Sequence, residues 1–483
     1  MEVVVRIALL TESADPHAMS GGPVPGPVRV PGSDQWCDWL ARALPECTFQ
    51  RFAADDTGGA RRRSGRGPRG RRRSRCLQYY GALVRALADP RESDSFPTAL
   101  YALAEATCEP GALPALLASD AAQQVLEQAW RESGGSGAES TVREQLAAGE
   151  ALERCLRPLS AAWCRVDAPA TDICHLVGGG TAALPALLAR RLHGVPFVVG
   201  DHRVALRQRY ADHRAERQHG PVRALELSFL RLLAQETYRQ AAFVLPGSEY
   251  DRWWLERCGA PPERIRVVRE GLADSPAGRP EEVLPEPEAL TLLWARTPGE
   301  ACDPAAVRAA LALVRSEVPE VELQLYDTAA AAPSTPGAPR TAPRRGCAAG
   351  SVLLLPAPVD PGPLIEAMLS GRPVIAGDLG AARETVGPAG LLVAPGDSHA
   401  LAEACVALLR DPERRARLGT AGRQRVQELH SAEGAAEALR SVYLDVVSRW
   451  PAFPSAGGRA AQPFSRPAEF WAAEDPVPER TVA

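Results

Sequence analysis

Between Ser351 and Val426 the chain places two acids where a polar ligand could be held. The run SVLLLPAP reads as a buried strand. It leads through a loop into a short helix carrying Glu366 on its first turn, then into the strand around Pro373-Val374-Ile375-Ala376, a turn at Gly380 and a second acid, Glu384. Loops at the carboxyl ends of parallel strands line a common crevice, so this rhythm is that of a ligand rim. A carboxylate such as Glu366 can accept two hydroxyl hydrogen bonds at once. All 55 basic residues are Arg, and there is no lysine. Any phosphate partner must therefore be met by Arg, by backbone N–H groups or by a helix N-terminus. Arg296, in Trp294-Ala295-Arg296 at a strand end, is one candidate. The glycine turns at Gly21-Gly22 and Gly380 are others, through their backbone donors.

Those residues need a scaffold, and the rest of the chain supplies one. At 483 residues with 45% apolar content the sequence fits two globular domains plus tails. Val3 to Leu10 reads as a buried first strand: it has no basic leader, no small-residue cleavage site, and Arg6 interrupts the apolar run. No uncharged apolar run reaches the ~18 residues needed to span a bilayer, and a cytoplasmic protein is expected. The 11 cysteines are scattered, with no C-x-x-C pair and no zinc spacing, so free thiols are expected in place of a disulfide framework or metal site.

Residues 57–75 carry nine Arg and no acid; without those charges the formal net charge of −4 becomes −13. The segment reads as a disordered Arg-rich insertion. A nucleic-acid role is disfavoured, because no aromatics are interleaved and no binding module is present. From Leu77 to about Leu159 the pattern is helical, broken near Glu109-Pro110-Gly111 and Ser133 to Gly137. Strands follow at Thr171 to Val177, Val195 to Val199, Ala241 to Leu245 and Ile265 to Val268, separated by helices. A second series opens at Leu290 and closes with an amphipathic helix from Ser431 to Val447. The expected organisation is a first domain at 1–272, a Pro/Glu/Gly-rich linker at 273–289, a second domain at 290–447 and a disordered tail at 448–483. Alternating strands and helices in both halves predict an α/β fold of two doubly wound, Rossmann-like domains facing a central cleft.

The second half resembles the nucleotide-sugar half of glycosyltransferase family 4 enzymes through Glu366-Ala367-Met368, Gly371, and Pro373-Val374-Ile375-Ala376. In the first half, Trp36 to Leu40, Asp172-Ile173-Cys174-His175 and Pro196 to His202 look like the PelF-type subgroup, which adds sugars to an exopolysaccharide. The resemblance implies the GT-B fold and a retaining, metal-independent transfer of a hexose from a nucleoside diphosphate sugar to a glycan or small acceptor. Membrane-associated polysaccharide machinery is an implied partner. It implies that Glu366 binds the ribose, Arg296 the diphosphate, Asp360 or Glu384 the sugar or adjoining backbone, and His202 the reacting centre. His175 reads as a packing residue.

The sequence departs from the pattern in several places. The first acid of the family's Glu-x7-Glu motif falls on Pro358; either Asp360 takes its place or the function is lost. The lysine that follows the diphosphate-binding Arg is absent. The usual T-E-H-G reads Gly200-Asp201-His202-Arg203, and a βα piece is missing between Tyr326 and Ser351. These departures keep a second reading open: a catalytically weak or inactive homologue acting as a scaffold or binding component of polysaccharide assembly.

Overall fold

The computed structural model describes residues 5–11, 33–53, 67–109, 111–132, 141–161, 163–166, 168–202, 204–215, 220–269, 289–296, 304–327, 350–356 and 361–449. Gly21, Gly22, Asp360, the expected linker and the expected tail lie outside them, apart from Ala289 in the linker and 448–449 at the tail. Two compact units result. One comprises Met1–Pro246, Trp254–Arg266 and the chain from Ala438; the other comprises Gly247–Trp253 and Val267–Glu437.

The first unit is built on a five-stranded parallel sheet of β1 (Val5–Thr11), β2 (Cys47–Ala53), β3 (Ile173–Val177), β4 (Phe197–Gly200) and β5 (Phe243–Leu245), in the order β2-β1-β3-β4-β5. β3 and β4 are buried along their whole length, as strands covered by helices on both faces must be. β2 sits at the edge and alternates between half-buried and exposed over its first residues; its polar composition hides it from a hydropathy reading. Ile265, expected to open a strand, makes a single parallel bridge to Val244.

Between β2 and β3 the chain inserts a helical layer: Gly70–Ala88, Phe96–Ala106, Ala112–Leu117, Asp120–Glu132 and Val142–Leu156. The breaks fall where Gly and Pro place them, and Thr141 with Glu144 forms a full capping box on the last of these helices. The Arg-rich segment is not wholly the disordered insertion expected. Residues 54–66 lie outside the described chain, but Arg71 to Arg75 form the opening turns of a helix and are no loop. The reason is the buried face that follows: Cys76, Tyr80, Leu83, Val84 and Leu87 recur at helical spacing and join the core. Arg72 fastens the first turn by donating to the Ala106 carbonyl (3.0 Å) and pairing with Glu109.

The second unit carries β6 (Thr291–Arg296), β7 (Glu322–Asp327), β8 (Val352–Leu355), β9 (Val374–Gly377) and β10 (Leu391–Val393), all parallel, in the order β10-β9-β8-β6-β7. Apolar layers lie on both faces. One is gathered around the helices Pro304–Glu317 and Ser398–Leu409, the other around Pro361–Leu369. The expected pair of doubly wound α/β domains is present.

Domain boundaries differ from the sequence reading in two places. The last helix, Ala432–Arg449, was expected within the second domain, yet from Ala438 onward it belongs to the first unit. Leu439, Val442, Tyr443 and Val446 bury one face of it, Arg440 pairs with Glu46 at 2.6 Å, and Tyr443 reaches His175. Gly247–Trp253, expected in the first domain, joins the second because Glu384 holds it.

Candidate active site

In the second unit the sequence-predicted residues gather at one edge of the sheet. Adjacent strands β9, β8 and β6 lead respectively to Gly380 and Glu384, to the helix bearing Glu366, and to Arg296. Arg296 is the last residue of β6, its backbone in register with Asp327 of β7. Glu366 is the sixth residue of Pro361–Leu369, so it sits on the second turn and not the first. It is half-buried between the buried neighbours Ile365 and Ala367. Gly380, with φ of +58°, makes the left-handed turn that β9 needs before the short helix Ala382–Val386. Arg383 folds back onto Asp378 across that turn, with Nε 3.1 Å from Oδ1.

Glu384 has a specific structural task. Its Oε2 accepts the backbone N–H of Glu249 at 3.1 Å and its Oε1 that of Tyr250 at 3.2 Å. Those are two of the first free donors of the helix Glu249–Arg257, where a negative charge is favoured. Ser248 supplies the cap for a third, its Oγ accepting the Asp251 N–H at 3.0 Å. Arg269 flanks the carboxylate at 3.5 Å. Arg425 donates to the carbonyls of Glu384 (2.7 Å) and Thr385 (2.9 Å), closing the C-terminal end of the helix that carries them. The contact this geometry displays for Glu384 is with the backbone of Glu249 and Tyr250.

The first unit holds His202, half-buried in the turn after β4. Asp201 before it is buried; its carboxylate accepts the Ala205 N–H and the Tyr238 hydroxyl, each at 2.8 Å. Burial pushes that carboxyl above the usual range, and these hydrogen bonds together with His202 draw it partly back. Val204 closes the turn at φ +50°, a conformation β-branched residues rarely adopt. Held strain of this kind is characteristic of functional turns.

Beside this turn the structure shows a residue that the sequence reading assigned to packing. His175 on β3 is completely buried, and its Nδ1 lies 2.6 Å from the Tyr443 hydroxyl. Burial, with His202 as a lesser cause, pushes its imidazole down to about 3, so it is neutral at ordinary pH. The signal available in the sequence was a histidine inside an apolar strand; the partner lies 268 residues away and was not legible. Among the described residues no group of three or more His, Cys, Asp or Glu could hold a metal ion. Nor is any helix among them long and apolar enough to cross a membrane.

Two family models match the chain, one in each half. Residues 341–411, which include Glu366 and Glu384, match the family model described as glycosyl transferases group 1. Residues 54–263 match a domain of unknown function (DUF3492).

Among particular proteins, the chain is similar to the GDP-mannose-dependent monoacylated alpha-(1-6)-phosphatidylinositol monomannoside mannosyltransferase of Corynebacterium glutamicum. The two are 47% identical over 79 residues, 16% of this chain and 21% of the relative. It is also similar to the MMP alpha-(1->4)-mannosyltransferase of Mycolicibacterium hassiacum, 39% identical over 90 residues, 18% of this chain and 22% of the relative. The chain thus spans about a fifth of the length of the curated relatives it matches. Among solved structures, HepE of Anabaena in complex with UDP-glucose aligns with a TM-score of 0.44 and 13% identity, covering 91% of this chain and 99% of that one. Sucrose-phosphate synthase of Thermosynechococcus elongatus aligns with a TM-score of 0.42 and 20% identity, covering 64% and 80% respectively.

Proposed function

We propose that this protein is a retaining glycosyltransferase of the GT-B class. It would move a hexose from a nucleoside diphosphate sugar to a glycan or small acceptor in the cytoplasm, in association with exopolysaccharide synthesis. The observation that carries the proposal is the position of Glu366. It is half-buried on the helix behind β8, next to the β9 turn, inside the segment that matches the glycosyl transferases group 1 model.

In this scheme Glu366 accepts the two ribose hydroxyls of the donor, while Arg296 and the backbone at Gly380 meet the diphosphate. The bond between the anomeric carbon and the diphosphate oxygen breaks as the acceptor oxygen bonds to the same face of that carbon. The acceptor's proton passes to the departing phosphate. His202 hydrogen-bonds the transferring sugar, Asp360 presents a carboxylate to it, and backbone donors at Gly21 and Gly22 add to the phosphate contacts. The scheme uses no metal ion: the charge developing on the diphosphate is met by fixed donors. GDP-mannose heads the donors to be tested, because it appears in the name of the Corynebacterium relative. Membrane-bound polysaccharide machinery would be the partner that presents a glycan acceptor.

A second reading, a binding or scaffold component without transfer activity, is favoured by one observation: a chain with no lysine has lost the residue that family members pair with Arg296. Calorimetry of the full chain with GDP-mannose and UDP-glucose, beside Glu366→Ala, separates the two. Donor binding that Glu366→Ala abolishes, together with sugar transfer or donor hydrolysis, supports the transferase. Binding without turnover of any donor supports the scaffold. Absence of binding to either donor would sink the transferase.

A further inference from the structure

Two histidines of the first unit converge on one glycine. His175 lies within β3 and His202 in the turn after β4. A methyl group placed on Gly200 would stand 2.9 Å from His175 Nε2 and 3.6 Å from His202 Nε2. Both ring nitrogens therefore face the same side of one backbone carbon, and only glycine leaves His175 Nε2 its room. On its other side, His175 Nδ1 lies 2.6 Å from Tyr443 Oη, the two rings meeting edge to face at 71°. The Nε2 of His175 is buried and has no hydrogen-bond partner among the described residues. A polar atom left so costs about 1–3 kcal/mol, and a native site that tolerates one calls for an explanation.

We propose that Tyr443, His175 and His202 form a single hydrogen-bonded relay that fixes the tautomer and ring orientation of His202. It rests on the reading that places His202 beside the transferring sugar. The Tyr443 hydroxyl donates to His175 Nδ1. That makes Nδ1 an acceptor and puts the one imidazole proton of His175 on Nε2. From there it is donated through one ordered water to His202 Nε2, and His202 is left with its proton on Nδ1. No group in the chain needs to change charge. Tyr443 and His175 are positioning residues; His202 is the group that would touch the substrate.

The surroundings suit a fixed relay. The titratable groups that face it are the Asp201 carboxylate beside His202 and the thiols of Cys37 and Cys47 beside Tyr443. Burial holds the Tyr443 hydroxyl well above its ordinary value and the Cys47 thiol at about 11, so Tyr443 keeps the proton it donates. The last helix, which brings Tyr443, is tied to the same unit by the Arg440–Glu46 pair. A segment at the far end of the chain thus completes a turn built more than 200 residues earlier.

The chain has only eight histidines, so nitrogen NMR on full-length protein labelled at histidine can read each ring. The relay predicts His202 as the Nδ1–H tautomer in the wild type. It predicts a mixture of tautomers in Tyr443→Phe and His175→Phe, and return to Nδ1–H in His175→Gln, whose amide N–H can occupy the place of Nε2–H. In a transfer assay Tyr443→Phe lowers kcat about tenfold with donor KM within about twofold, and His175→Gln stays near wild type. An Nε2–H tautomer of His202 in the wild type, or tautomer populations unmoved by Tyr443→Phe, would overturn the relay. A wild type that turns over no donor defeats the transferase reading alone, because the tautomer spectra still decide the relay.

Discussion

Glu384 and Tyr250 stand 134 residues apart, yet the carboxylate of one accepts the backbone N–H of the other at 3.2 Å, with the neighbouring N–H of Glu249 on its second oxygen. One side chain thereby fixes where the helix Glu249–Arg257 begins and ties its first turn to the second unit.

Glu384→Ala leaves those N–H groups without their acceptor and is expected to destabilise the chain by about 1–3 kcal/mol in urea unfolding. Glu384→Gln retains one acceptor oxygen and should lose roughly half as much. Arg269→Ala, which removes only the longer partly exposed contact, should cost no more than ~1 kcal/mol. Equal effects of Glu384→Ala and Arg269→Ala would show that the helix cap is not what Glu384 supplies.

Two glycines on the helix Pro412–Leu429 should respond in opposite ways. A Cβ on Gly419 would run into the carbonyl oxygen of Gly371, so Gly419→Ala forces backbone apart and should cost about 1–3 kcal/mol. At Gly422 the nearest atom, the Ala389 carbonyl oxygen, is 3.5 Å away, an ordinary contact. There Ala should be neutral or stabilising by up to about 1 kcal/mol through helix propensity. Thermal melts of the two variants test the close approach directly.

His175 makes stability depend on pH with a definite sign. Its native imidazole is pushed down to about 3, while in the unfolded chain it titrates near 6.5. Between those values the unfolded state binds the proton and the native state refuses it. Stability is therefore fully present above about pH 6.5 and falls as pH drops toward 3, by at most ~1.4 kcal/mol per unit. Asp201, whose carboxyl is raised, contributes with the opposite sign. Urea midpoints between about pH 5.5 and 7 should slope more steeply for wild type than for His175→Gln; parallel slopes would remove His175 as the cause.

Glu366 and His202 should separate binding from chemistry. Glu366→Ala is expected to weaken donor binding about tenfold or more, the worth of charge-assisted hydroxyl bonds. His202→Ala should leave donor affinity nearly intact and lower kcat by about 10²- to 10⁴-fold. Calorimetry and initial-rate kinetics on both variants check the split, and loss of donor affinity in His202→Ala would contradict it.

Much of the fold is legible in the sequence. Eight of the ten strands follow from apolar runs bounded by Gly and Pro; Ile265 to Val268 shrank to one bridge, and β10 was not among the expected strands. β2 escaped because an edge strand need not be apolar on either face. The helical start at Arg71 escaped for a related reason. Nine arginines in a row of small residues read as a solvated loop, whereas Arg72 finds a carbonyl and an acid 34 and 37 residues on. Glu366, Glu384 and Gly380 were legible because the spacing of strand, turn and helix carries them to one edge of a sheet.

By itself, then, the sequence determined two α/β domains and the order of strand, turn and helix that carries Glu366, Gly380 and Glu384, because hydrophobic period and turn residues act over a few positions of chain. Only the tertiary structure decided what those side chains touch. Glu384 meets a helix start, Tyr443 meets His175, and the last helix joins the first unit. Each of these depends on contacts between residues more than 100 positions apart, set by packing of the whole and invisible to any local pattern.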